Sequence, residues 1–241
     1  MSPRITETLD WLESHGISYQ VHYHPPLATI QEALAYWKDI DSMHCKNLFF
    51  RNHTGNRHYL VSFECHKDLD IHALEHMLHQ GKLSFASPER MERCLGVSPG
   101  SVCAFGLIHD IDIASKADPR ELFENGHRVK YFIDKELKDA PRVSFHPCDN
   151  TASVVLTNEM FHKFLSIWGG EVEWLDTQPR DTVSPLSIAS QPSSMSWKVR
   201  SKSPVYHGSA TSRLFPTYDI IEWTLFSGSP PKMRSSQRLL L

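Results

Sequence analysis

Lys46-Asn47-Leu48-Phe49-Phe50 and His58-Tyr59-Leu60-Val61-Ser62-Phe63-Glu64 flank the polar tetrad His53-Thr54-Gly55-Asn56. Two runs of strand-favouring residues around a glycine-containing tetrad read as a β-hairpin. In the first strand Lys46, Leu48 and Phe50 share one face, and Asn47 and Phe49 share the other. A lysine at the head of an apolar strand is ordinarily a surface residue lying its stem along its neighbours. Taken by itself, Lys46 therefore says little about chemistry.

Working outward, helices and strands mix without a regular βαβ alternation. Ile5, Leu9 and Leu12 recur at helical spacing before Gly16. Ser18–Tyr23 alternates as a strand and is broken by Pro25-Pro26. Thr29-Ile30-Gln31-Glu32 has the form of a capping box, opening a helix to about Lys38. Asp70 caps a helix running to His79, Lys82–Ala86 is a short strand, and Ser87-Pro88 opens a helix to about Leu95. After the Pro99-Gly100 turn, Ser101–Ile108 reads as a strand, followed by strands at Arg128–Ile133, Arg142–His146 and Ala152–Leu156. Phe161, Phe164, Leu165 and Trp168 place a helix over Asn158–Trp168, closed by Gly169-Gly170. The expected fold class is α+β, an irregular α/β domain with a mixed, largely antiparallel sheet and packed helices.

Composition divides the chain at about residue 176. Residues 177–241 hold 14 serines and seven prolines, with eight Lys and Arg against three acids. That predicts a basic, disordered Ser/Pro-rich tail. With the whole chain at a formal −3, the first 176 residues carry −8. An acidic body excludes a wide phosphate-binding surface, so any nucleic-acid contact there must be small and local, or must borrow the basic tail. Five cysteines without a CxxC pair suit free thiols in a reducing compartment. The N-terminus lacks the apolar stretch of a secretory leader, and no apolar run approaches the ~20 residues of a membrane span. The expectation is a cytoplasmic protein without a membrane partner.

Two further segments carry candidate chemistry. Gly96-Val97-Ser98-Pro99-Gly100-Ser101-Val102 allows a turn whose amides could face an anion or carbonyl, although many helix-to-strand connections look the same. Phe145-His146-Pro147-Cys148-Asp149-Asn150-Thr151 holds a histidine extended before proline, with Asn150 and Thr151 close by. Its plain reading is a turn with an incidental histidine.

Together the three segments are more specific. Lys46–Phe50, Gly96–Asp110 and Phe145–Val154 resemble the signature of the YbaK/prolyl-tRNA editing family, with order and spacing held from about residue 5 to 170. Supporting matches are His24-Pro25-Pro26 and Lys82-Leu83-Ser84-Phe85-Ala86-Ser87. The chain departs from that pattern at Ala104, where the family has proline, at His109, where it has asparagine, and at Ser153, where it has threonine.

The resemblance implies a trans-editing aminoacyl-tRNA deacylase, a carboxylic ester hydrolase acting on mischarged tRNA(Pro), with Ala-tRNA(Pro) as substrate. It implies a substrate-assisted route in which the free ribose hydroxyl of the terminal adenosine helps activate water, so that no triad and no cofactor is needed. In that reading Lys46 and His146 are the catalytic residues. Asn47, Gly100, Ser101, Val102, Asn150 and Thr151 bind substrate. The partners are the acceptor end of mischarged tRNA and prolyl-tRNA synthetase. The Cys103-Ala104 variant and the acidic body leave a second reading open, a non-catalytic tRNA- or synthetase-binding adaptor of the same fold. A metal-dependent hydrolase built on His72, His76 and His79 is the third, and the expectation is that no metal is held. Cys148 reads as a buried thiol rather than a nucleophile.

Overall fold

The hairpin alternation becomes the two faces of a large sheet. A computed structural model describes residues 2–27 and 30–179, with strands β1 Gln20–Tyr23, β2 Met43–Arg51, β3 His58–Glu64, β4 Lys67–Asp68, β5 Ser84–Phe85, β6 Val129–Asp134, β7 Arg142–Phe145, β8 Ala152–Thr157, β9 Val172–Leu175 and β10 Gln178–Pro179. Helices are α1 Pro3–Ser14, α2 Ile30–Trp37, α3 Ile71–Leu78, α4 Pro88–Leu95, α5 Lys135–Asp139 and α6 Asn158–Trp168, with 3-10 turns at Ala104–Asp110 and Pro119–Glu121. Thr29 of the expected capping box and residues 180–241 of the expected tail lie outside the described residues.

The main sheet runs β1-β8-β7-β2-β3-β6-β9, with β5 added to β2, and β10 pairs with β4 apart from it. Pairing is antiparallel for β1–β8, β7–β8, β2–β3 and β2–β5, and parallel for β2–β7, β3–β6 and β6–β9. The mixed, mostly antiparallel sheet with packed helices is the fold the sequence predicts.

One face carries the main core. Phe49, Leu60, Tyr131, Phe145 and Val154 meet Ile5, Leu9 and Leu12 of α1 and Phe161, Phe164 and Trp168 of α6. These are the helix positions that periodicity picks out. Thr157 caps α6 by accepting from the Met160 amide, and Gly169 ends it in the left-handed conformation. The other face holds two smaller clusters, Phe50, Tyr59, Val61, Phe63 and Phe132 against Leu74 of α3, and Ala33 and Trp37 of α2 against Cys65.

Ser101–Ile108 is not a strand. Residues 104–107 are all buried, so no alternation exists to face a sheet, and the Gly106 amide donates to the Cys103 carbonyl at 3.2 Å. The turn lies directly on α4. A Cβ on Gly106 would sit 2.8 Å from Leu95 Cβ and 2.9 Å from the Leu95 carbonyl oxygen. Ala104 is the first helical residue and Cys103 before it is extended, at φ −159° and ψ 166°. That is backbone a proline at 104 would also adopt, so its loss leaves the turn formed.

Candidate active site

β2 pairs with β7 only at Met43–Val143 and His44–Ser144, and with β5 only from Phe50. Between these ladders the same edge of β2, Cys45 to Leu48, has no strand partner among the described residues. Crevices beyond the carboxyl ends of diverging parallel strands are where open sheets place ligands. Lys46 on β2, and His146 one residue beyond the end of β7, each lie two residues past the His44–Ser144 pair, so period-two alternation puts them on one face beside this gap.

His146 is fixed from behind. Its Nδ1 lies 3.1 Å from the Ala152 carbonyl, which can only accept, so the proton sits on Nδ1 and Nε2 keeps its lone pair. Burial, with His24 nearby, pushes its pKa down, and the ring is neutral at pH 7. The rings of His24 and Trp37 stand 6.1 and 6.4 Å from it. A continuous hydrogen-bond chain holds that wall. Trp37 Nε1 donates to Ser153 Oγ at 3.1 Å, Ser153 Oγ donates to His24 Nε2 at 3.1 Å, and His24 Nδ1 donates to the Pro25 carbonyl at 2.9 Å. His44 stacks flat on Trp37, with centroids 4.4 Å apart, and burial lowers its pKa too.

The Lys46 ammonium donates to the Lys67 carbonyl at 2.9 Å, lies 3.9 Å from Asp68 and stands over the Phe63 ring. Asn47 points to the opposite face, where it accepts from Ser62 Oγ at 2.5 Å; Tyr131 donates to the same Ser62 oxygen at 2.8 Å. The Lys46 ammonium therefore leans toward β3 and β4, and Asn47 lies on the other face of the sheet.

The two loops also meet. Gly100, at φ +86°, faces Asn150, whose Nδ2 would be 3.7 Å from a Cβ there, and Asn150 reaches the Leu27 carbonyl at 3.5 Å. Ser101 is buried and its amide donates to Ser98, and Val102 is half-buried. Thr151 gives its hydroxyl proton to Asp149 at 2.6 Å and its carbonyl to the His24 amide at 2.9 Å. Beneath them Cys103 and Cys148 touch, Sγ to Sγ, at 3.8 Å. The hydrogen bond with Cys103 and burial push the Cys148 thiol well above its ordinary range, so it is no nucleophile at neutral pH.

Residues 24–164 match the family model described as the aminoacyl-tRNA editing domain. The chain belongs to the aminoacyl-tRNA editing family. It is 33% identical over 160 residues to the prolyl-tRNA editing protein ProX of Acetoanaerobium sticklandii, spanning 66% of this chain and 88% of that one. It is 27% identical over 158 residues to the prolyl-tRNA synthetase associated domain-containing protein 1 of Mus musculus, spanning 64% and 85%. A crystal structure described as that of "a putative trans-editing enzyme for prolyl tRNA synthetase" shares the fold, with a TM-score of 0.52 at 21% identity over 74% of this chain and 98% of that one.

In this editing domain the sequence reading missed the Trp37–Ser153–His24 chain as a unit. Its members are 116 and 129 positions apart, and only His24-Pro25 and Ser153 stood in recognisable motifs. His72, His76 and His79 do not converge as ligands. His72 is held by Glu75, and His79 is the left-handed cap of α3. Among the described residues, Glu64, Cys65 and His66 form the one His/Cys/carboxylate cluster. Their donors are already spent on each other, since Glu64 takes the His66 ring, the His66 amide and the Cys65 thiol. Two cavities have volumes of about 540 and 570 Å³, one lined by Met43, Lys135 and Asp139, the other by Arg57 and Phe123. Among the described residues no helix is long and apolar enough to cross a membrane.

Proposed function

We propose that the chain is a trans-editing deacylase that hydrolyses mischarged tRNA(Pro), with Ala-tRNA(Pro) as its substrate. The observation that carries this reading is the placement of Lys46 and neutral His146 on one face of β2 and β7, beside the gap where their ladder ends.

The reaction adds water to the ester carbonyl, forms the carboxyl C–O bond, breaks the bond to the ribose oxygen and returns a proton to that oxygen. Three things are needed: an oriented water, a stabilised oxyanion and a pocket that sorts side chains. The free hydroxyl of the terminal ribose orients the water. His146 Nε2 accepts a hydrogen bond from that water or from the substrate amine. Lys46 exchanges the Lys67 carbonyl for the terminal phosphate or the developing negative charge. Amides of Gly100 and Val102 face the carbonyl, the Ser101 amide being taken by the Ser98 carbonyl, with Asn150 and Thr151 as polar contacts and Asn47 held on the opposite face by Ser62. In this account the rings of His24, Trp37 and His146 bound the place of the amino-acid side chain. Steric exclusion of proline is steeper than the 10–200-fold that one missing methylene gives. The partners in this account are the tRNA acceptor end and prolyl-tRNA synthetase, in the cytoplasm, without a cofactor.

The test is a panel of mischarged tRNAs offered to the full chain. Preferential hydrolysis of Ala-tRNA(Pro) over Pro-, Cys- and Ser-charged tRNAs is the expected result. Binding of all of them without turnover would replace the deacylase by an adaptor.

A further inference from the structure

The acidic body leaves open how this chain would hold a polyanion, and the described residues contain one concentrated exception. Six arginines gather at the hairpin end of the sheet: Arg51 and Arg57 around the β2–β3 turn, Arg90 and Arg93 on α4, and Arg120 and Arg128 beside them. The contacts link them. Arg90 donates to the Gly55 carbonyl at 2.7 Å and to His58 Nε2 at 2.8 Å. A Cβ on Gly55 would meet Arg90 Nη2 at 2.9 Å and Arg51 Cδ at 3.7 Å. Arg57 donates to the Arg120 carbonyl at 2.5 Å, and Arg128 to the Arg93 carbonyl at 2.7 Å.

Among the described residues two carboxylates pair directly with this group. Glu121 takes Arg93 at 2.7 Å and Arg128 at 3.8 Å, and Asp118 takes Arg120 at 2.6 Å. Arg51, Arg57 and Arg90 make no ion pair among the described residues. Arg51 donates to the Asn52 and His53 carbonyls, and Arg57 to the Asn56 carbonyl. Backbone carbonyls orient a guanidinium and leave its charge in place. Of the nearby acids, Glu92 pairs with Arg4 and Glu171 with Lys130, while Glu124 and Glu171 line one cavity with Arg57 without an ion pair to it. His58 reports the resulting field. Burial and then Arg90, Arg93, Arg128 and Arg51 push its pKa down to about 3.

The position along β2 matters. Arg51 follows Lys46 by five residues, about 17 Å at ~3.4 Å per strand residue, and this odd separation puts it on the opposite face of β2, so a nucleic-acid strand leading from Lys46 reaches the arginines around the hairpin end of the sheet. Between them Phe85 is 47% exposed and stacks on Phe50 at 4.9 Å, offering a free ring face. An exposed aromatic ring followed by unneutralised arginines suits bases and then phosphates of one strand. At ~3.4 Å per stacked nucleotide the span reaches about five nucleotides from the terminal residue, beyond a short single-stranded end.

We propose that Arg51, Arg57 and Arg90 form a phosphate-binding surface for the acceptor stem of tRNA, with Phe85 as a base platform on the way to Lys46. This rests on the deacylase reading for its choice of RNA.

The experiment measures binding of uncharged tRNA(Pro) transcript to the full chain across a salt series, together with deacylation of Ala-tRNA(Pro). For Arg51→Gln/Arg90→Gln the expected results are weaker binding, a log–log salt slope smaller by about 2, and a raised KM with kcat kept. Arg51→Lys/Arg90→Lys should restore the slope, and Lys135→Gln/Lys138→Gln, an equal charge loss elsewhere, should leave it unchanged. If the first variant does not fold, Arg57→Gln carries the test, with a slope smaller by about 1. Wild-type affinity and slope in the folded arginine variants would overturn the surface while leaving the deacylase intact. A wild-type chain that binds with this arginine dependence and hydrolyses nothing would overturn the deacylase and keep the surface.

Discussion

The Ser153 hydroxyl sits 3.1 Å from His24 Nε2, and the same oxygen receives the Trp37 indole N–H. This one small side chain therefore orients two rings of the aromatic wall. Ser153→Ala leaves a buried indole N–H and a buried imidazole nitrogen without partners, at a cost of about 1–3 kcal/mol. Ser153→Thr keeps the hydroxyl and should recover most of that loss. Urea unfolding of the two variants checks both statements, and an alanine variant as stable as wild type would remove the chain's structural role.

His58 accepts from Arg90 and must stay neutral to do so. Its folded pKa of about 3 lies below the ordinary value of 6.5. Between those values the unfolded chain binds a proton that the folded chain refuses, so stability falls as pH falls below 6.5. The expected slope from this residue alone is ~1.4 kcal/mol per pH unit. Urea titrations between pH 7 and 4 should show it in wild type and lose it in His58→Asn. His146 and His44 are shifted in the same direction and add to the acid sensitivity.

Gly106 packs against α4 with no room for a side chain. Gly106→Ala forces the Leu95 backbone to move, since its carbonyl oxygen would be 2.9 Å from the new Cβ. The expected destabilisation is about 1–3 kcal/mol, read as a lower thermal midpoint. A neutral result would mean the turn at Ala104–Asp110 yields more readily than its contacts imply.

Legibility in the sequence followed the range of the interaction. Helix α6 was readable to the residue because Phe161, Phe164, Leu165 and Trp168 repeat along one stripe and Gly169 follows. The β2–β3 hairpin was readable from two strand-like runs around Gly55, and its alternation already separated Lys46 from Asn47. Ser101–Ile108 failed because an apolar run buried on all sides looks the same as strand or helical turn. Helix α5, at five residues, is too short to show a period. The Trp37–Ser153–His24 chain depends on β1 and α2 both reaching β8, which no local pattern encodes. The arginine surface likewise draws on the β2–β3 turn, α4 and residues 118–128.

Lys46 carries the central claim, and its removal is the most direct test of it. Single-turnover deacylation of Ala-tRNA(Pro) should slow by about 10²–10³-fold in Lys46→Ala, the size expected for one lost charge-stabilising donor, with the unfolding midpoint little changed. Equal rates for Lys46→Ala and wild type would contradict the account and take the chemistry away from the gap beside β2.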